Sequence, residues 1–198
     1  MTRIFRRAAA LCAAASLLIP AACGRKPAPA ARRYSQPDGL FSFVIPAGWR
    51  EIRITGNPEP RIELIDVSDS DGLRESASVV FYPKGNPNFP TPKDYLKLHS
   101  GPGPQTPRPI AAAGLRGLEF LSQAPTVSSP ERGTGQPLEN KTVVLPAANG
   151  FFALACSAPA GSAACAGTGG FQEILDSFKP GPSSQDRAAR REEKEPRH

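Results

Sequence analysis

Apolar and polar residues alternate with period two over much of the middle of this chain. Between residues 40 and 45, Phe41, Phe43 and Ile45 fall on one side, and between 49 and 54 Ile52 and Ile54 alternate with charged residues. Such alternation is the mark of a half-buried strand. Pro46-Ala47-Gly48 separates the two runs and predicts a hairpin. Residues 62–67 and 77–82 predict two more strands, joined by the polar turn Asp69-Ser70-Asp71-Gly72. Two further strands are expected at 115–121 and 141–145, on either side of a long loop rich in Ser, Pro and Gly. Asn149-Gly150 then turns the chain into residues 151–156, the most apolar strand of the set.

The period changes twice. Thr91-Pro92-Lys93-Asp94 places a capping hydroxyl first, then a proline where the amide would be unpaired anyway, then an acid three residues on. This predicts a short helix through Tyr95, Leu96 and Leu98, ended by the Pro-Gly run over 101–109. Phe171, Ile174, Leu175 and Phe178 stand at i, i+3, i+4 and i+7, one apolar face of a helix that Pro180-Gly181 stops. The stripe serves core packing. Antiparallel strands with helices inserted late predict an α+β domain, mainly an antiparallel sheet covered by a few helices, and no internal repeat is evident.

The ends follow neither pattern. Arg3, Arg6 and Arg7 precede an apolar run over 8–22, which is shorter than the roughly 20 residues of a spanning helix and is broken by Pro20. Residues 1–23 therefore read as an export signal. Pro20-Ala21-Ala22-Cys23 resembles the lipobox of bacterial lipoprotein signals, with Pro20 where that family prefers Leu. The resemblance implies a diacylglycerol on the Cys23 sulfur, cleavage just before it and an acylated (palmitate-type) amino terminus. The alternative is an ordinary cleaved signal that leaves Cys23 as a thiol. Several acyl chains hold a protein on a bilayer, whereas one chain does so marginally. Gly24 in place of Asp implies, for Gram-negative relatives, passage to the outer membrane, so the expected location is the bacterial cell envelope, lipid-anchored on the periplasmic face of the outer membrane.

Residues 24–33 are Ala, Pro and basic side chains and read as a flexible tether; residues 181–198 lack Leu, Ile, Val and aromatics and read as a disordered charged tail. The body is residues 34–180. The total charge of +6 suggests an anionic partner until it is divided: 12 basic residues face 14 acidic ones in the body, so the excess lies at the ends. A mildly acidic body with no basic-aromatic stripe argues against nucleic acid.

Phe41-Ser42-Phe43-Val44-Ile45-Pro46-Ala47-Gly48-Trp49, the apolar strand over 151–155, and Phe171-Gln172-Glu173-Ile174-Leu175-Asp176-Ser177-Phe178 resemble, in order, segments of the PsbP-like family. That family includes extrinsic proteins of photosystem II and many bacterial exported lipoproteins. The resemblance implies a PsbP-like fold and an accessory or binding role without established chemistry. The photosystem role does not transfer, since no metal-binding histidines of that kind match this chain.

Candidate chemistry is sparse. Cys156 and Cys165 are the expected disulfide of an exported protein, fixing the small-residue connection between the last strand and the last helix. Asp66, Asp69 and Asp71-Gly72 suggest a calcium loop, but Val67 and Ser78 occupy two ligand positions, and a solvated hairpin turn is the better reading. Gly167-Thr168-Gly169-Gly170 lacks the Lys of a phosphate loop and reads as a helix lead-in. His99, the one imidazole of the body, reads as a helix C-terminal residue. No metal or cofactor is expected.

These observations point to a lipid-anchored envelope protein with a noncatalytic binding, scaffolding or accessory role toward an unidentified envelope protein. The alternative is an envelope hydrolase whose site is assembled from distant residues. The two part at His99, which a hydrolase requires to face a pocket lined by Ser, Asp or Glu. Anchoring itself is checked by fractionation: a Cys23→Ser variant is expected to leave the membrane fraction and lose acyl labelling, and unchanged partitioning would refute the anchor.

Overall fold

The structure, a computed structural model, describes residues 28–52, 59–66, 75–99, 106–124, 137–161, 165 and 169–182. Its elements run β1 (Arg32–Ser35), β2 (Phe41–Ile45), β3 (Trp49–Ile52), β4 (Arg61–Asp66), β5 (Ser76–Pro83), α1 (Pro92–His99), β6 (Arg108–Ala112), β7 (Leu115–Ala124), β8 (Leu138–Ala147), β9 (Gly150–Pro159), α2 (Gly170–Ser177) and β10 (Lys179–Pro180). The signal, Cys23, Asp69, Asp71, Gly72, Gly167, Thr168 and nearly all of the tail lie outside the described residues.

Seven strands form one antiparallel sheet in the order β3-β4-β5-β9-β8-β7-β6, and β1-β2-β10 form a second, small sheet. The α+β expectation therefore holds. The central strand β9 pairs with β5 and β8 over its length, from Ser76↔Ser157 to Pro83↔Gly150 and from Leu138↔Pro159 to Ala147↔Gly150. Side chains directly opposite in an antiparallel ladder share a face, so the register sorts the large sheet into two faces.

The first face carries Ile62, Leu64, Val79, Phe81, Val143, Leu145, Phe152 and Leu154, all buried in one core with Phe41, Phe43 and Ile45 of β2 and with Phe171, Ile174, Leu175 and Phe178. Phe152 meets Phe178 edge-on at 5.1 Å and Phe81 at 5.0 Å between ring centroids. The predicted stripe of α2 is thus a packing stripe. Ser177 clips α2 to β2: its Oγ accepts from the Val44 amide at 2.9 Å and donates to the Glu173 carbonyl at 2.6 Å. Cys156 and Cys165 are disulfide-bonded, their Cα atoms 5.8 Å apart, which ties the lead of α2 to β9 as expected.

The second face is covered by α1. Thr91 Oγ1 accepts from the Asp94 amide at 3.3 Å and donates to the Asp94 carboxylate at 2.6 Å, the expected cap. Ahead of it, Asn86 Oδ1 accepts from the amides of Asn88 and Phe89, each at 3.0 Å, and sets Phe89 beside Tyr82 and Tyr95. Tyr95 and Leu96 then bury against Phe120, Val144, Phe151 and Ala153. Leu98, expected on the apolar side, points outward and is 71% exposed.

Three features correct the sequence reading. Pro46-Ala47-Gly48 does not close a hairpin: β2 pairs with β1 and β10, whereas β3 pairs with β4, so the turn passes the chain between the two sheets. β1 begins at Arg32, inside the stretch read as tether, and the Pro29 carbonyl already accepts from the Gly48 amide at 2.8 Å. A strand, β6, starts at Arg108 inside the Pro-Gly run. It is joined to β7 by Ala113-Gly114, both at positive φ (54° and 74°), the two-residue turn that matches strand twist.

An alanine in the left-handed region is strained by about 1 kcal/mol, and asparagine tolerates that region better. Ala113→Asn is expected to raise the unfolding free energy by about 0.5–1 kcal/mol in urea denaturation, with Ala111→Asn, on the same hairpin at ordinary φ, giving no gain. Equal effects at both positions would refute the strain.

Candidate functional site

α1 is too short for the surface it covers. Eight helical residues extend about 12 Å, whereas a ten-residue strand such as β9 extends about 34 Å. The second face changes character where α1 ends. Along β5 it runs Tyr82, Val80, Ser78, Ser76; along β9 Phe151, Ala153, Ala155, Ser157; along β8 Val144, Thr142, Asn140; and along β7 Phe120, Ser122. Apolar side chains stand under the helix, and hydroxyls and an amide beyond it.

The uncovered half forms a half-open cleft of about 280 Å³. Ser76, Ser157, Asn140 and Ser122 make one cross-strand row, and Glu63, Ser78, Ala155 and Thr142 make the next. Tyr95 and His99 close the helix side, and Ile52 stands at the opposite edge. None of the side chains of Ser76, Ser78, Ser122, Asn140, Thr142 or Ser157 hydrogen-bonds to another residue of the described structure. Thr142 is the telling case: the residue as a whole is only 5% exposed, yet its hydroxyl bonds to no described residue and opens into the cleft.

Charge is nearly absent from the lining. Glu63 is its one carboxylate, and the Arg61 guanidinium engages it in an ion pair. Burial, with the neighbouring Tyr82 hydroxyl a smaller contributor, pushes the Tyr95 phenol well above its ordinary pKa, so Tyr95 presents a neutral hydroxyl. Among the described residues no three His, Cys, Asp or Glu side chains converge as metal ligands, and no helix is long and apolar enough to cross a membrane.

His99 is the last residue of α1, as expected, and it borders this cleft of serines. Its ring stacks on Tyr95 at 4.0 Å, and its Nδ1–H donates to the Tyr95 carbonyl at 2.8 Å. No described serine hydrogen-bonds to the other ring nitrogen, and a carbonyl occupies the place where a triad needs an acid. The other candidates are structural. Ser78, tested as a calcium ligand position, is a strand residue of the cleft floor, and Asp66 ends β4 opposite Trp49. Gly170 is required for packing, because a Cβ there would lie 2.6 Å from the Trp49 indole nitrogen.

The cleft residues are not conspicuous in the sequence, because the apolar positions alone define each strand and its buried face. The signal is the switch along one face: Ser76-x-Ser78-x-Val80-x-Tyr82, Asn140-x-Thr142-x-Val144 and Phe151-x-Ala153-x-Ala155-x-Ser157 each change between polar and apolar, β5 and β8 at the same level of the sheet and β9 one row further on.

No family model and no curated protein matches the chain. Among solved structures it is similar to a Bacteroides thetaiotaomicron protein at 12% identity and TM-score 0.54, over 78% of this chain and 49% of that one. It is similar to the Saccharomyces cerevisiae Ran-binding protein Mog1p at 12% identity and TM-score 0.50, over 76% of this chain and 95% of that one. Cyanobacterial PsbP from Synechocystis matches at 14% identity and TM-score 0.50, over 80% of this chain and 96% of its own. The chain spans about half the length of the Bacteroides protein. Likeness at these identities concerns the fold alone: the chain carries a PsbP-like domain, α+β and mainly antiparallel, in the fold that CyanoP and Mog1p share.

Proposed function

We propose that this protein is a lipid-anchored component of the bacterial cell envelope whose PsbP-like domain is a noncatalytic binding or scaffolding module, with the uncovered half of its sheet as the contact surface. One observation carries the reading. A row of hydroxyl and amide side chains without partners among the described residues is held in a cleft on the strands β5, β9, β8 and β7. Side chains that do not stabilise the fold and are fixed by a scaffold are placed to meet something else. The lipobox-like Pro20-Ala21-Ala22-Cys23 supports the anchor, and the mildly acidic body supports an envelope partner over nucleic acid.

The second reading, an envelope hydrolase, is favoured by one feature, the position of His99 at a cleft with Ser76, Ser78, Ser122 and Ser157. Among the described residues no serine bonds to the imidazole and no acid orients it. Two measurements on intact cells separate the readings. A photo-crosslinking residue replacing Ser122 is expected to give a discrete adduct with an envelope component, whereas the same residue replacing Lys84, away from the cleft, gives none. A fluorophosphonate probe is expected to leave all four serines unlabelled. Labelling that disappears in His99→Ala would establish the hydrolase instead, and equal crosslinking from both positions would remove the cleft from the contact surface.

A further inference from the structure

The geometry points to a neutral carbohydrate as the ligand of this cleft, an inference that rests on the binding-module reading and names what the module binds. The chemistry of the lining excludes the other classes in turn. An apolar ligand would bury the free groups of Ser76, Ser78, Ser122, Asn140, Thr142 and Ser157 without supplying partners, at a cost for each. An anion would find neither Lys nor Arg among the lining residues, and a cation would find only Glu63, whose carboxylate Arg61 already holds. An extended peptide gains affinity chiefly by adding a strand to a sheet edge. Here the floor is β5, β9 and β8, internal strands whose backbone groups pair with their neighbours on both sides.

A sugar meets every condition. Each of its hydroxyls both donates and accepts, and so does each serine and threonine hydroxyl and the Asn140 amide. These groups stand in two cross-strand rows at the sheet spacing of about 4.8 Å, so a ring lying on the face spans several at once. The Thr142 hydroxyl belongs to a residue otherwise buried in the sheet and lines the cleft, where a ligand or water reaches it. His99 supplies the flat wall. Its ring stacks on Tyr95 and has Phe89 tilted beside it at 5.3 Å, and the residue remains exposed, so part of the aromatic surface is left for the C–H side of a pyranose. The volume of about 280 Å³ is close to the lower end of small-molecule sites, about 300 Å³, and suits one or two sugar rings of a longer glycan.

The test is an array of neutral and acidic mono- to tetrasaccharides probed with the purified full-length chain in detergent. Retention of at least one neutral saccharide is expected, competed by the same free sugar and unchanged in 0.5 M salt (about a 3 Å to 5 Å screening length) because no charge pairing is involved. Asn140→Ala and Ser122→Ala are each expected to weaken that retention at least tenfold, while Leu98→Ser, on the exposed side of α1, leaves it unchanged; near-ultraviolet circular dichroism establishes that each variant is folded. Retention of acidic saccharides alone, lost in salt, would overturn the proposal, as would the absence of any saccharide binding. If no saccharide binds while the Ser122 crosslink to an envelope component persists, the ligand class is wrong and the binding module stands. If both are absent, both readings fail.

Discussion

The arrangement follows from a mismatch of lengths. The large sheet has strands of eight to ten residues at its centre, and α1, the helix packed on its second face among the described residues, has eight residues. Helical residues advance less than half as far as strand residues, so α1 reaches only part of the surface beneath it. The sequence accommodates the shortfall by changing chemistry at the helix boundary. Under Tyr95 and Leu96 the sheet presents Val144, Phe151 and Ala153; beyond them it presents Ser76, Ser157, Asn140 and Ser122. An apolar face left bare at that point would be exposed to water and prone to association.

The first face shows the opposite solution and makes the mismatch affordable. The small sheet β1-β2-β10 and α2 together cover it, and Phe41, Phe43, Phe152, Phe171 and Phe178 are nearly inaccessible there. Removing one such buried phenylalanine side chain typically costs about 3–5 kcal/mol. The disulfide between Cys156 and Cys165, the Ser177 clip and the approach of Gly170 to Trp49 fix α2 on this core. Stability is therefore concentrated on one side of the sheet, which leaves part of the other free to be polar and open.

Much of the fold was legible in the chain. The alternation in β2, β4, β5 and β9, the cap at Thr91 and the apolar stripe of α2 are local signals, and local signals survive into the structure. Partner choice is not local: β2 and β3 look like a hairpin because a proline-glycine turn joins them, yet β2 belongs to a different sheet. β6 was hidden because its turn is Ala113-Gly114, without the usual Asn or Asp before glycine. β1 was hidden by basic residues, since Arg32 and Arg33 lie on an exposed edge where charge is tolerated. The cleft demanded knowledge of register, because Ser76, Ser157, Asn140 and Ser122 become neighbours only when four strands are aligned. His99 was noticed from the sequence, but its stacking on Tyr95 and its place at the cleft follow from the packing of α1.

The central claim is that the polar half of the second face serves a contact and not the fold, and Thr142 tests it most directly. Valine has nearly the shape of threonine and lacks the hydroxyl. Equilibrium denaturation of Thr142→Val is predicted to show stability equal to or above that of the unaltered chain, because the hydroxyl bonds to no described residue while the residue is otherwise buried. A loss of more than about 1 kcal/mol would mean that the hydroxyl supports the fold, and would contradict the account.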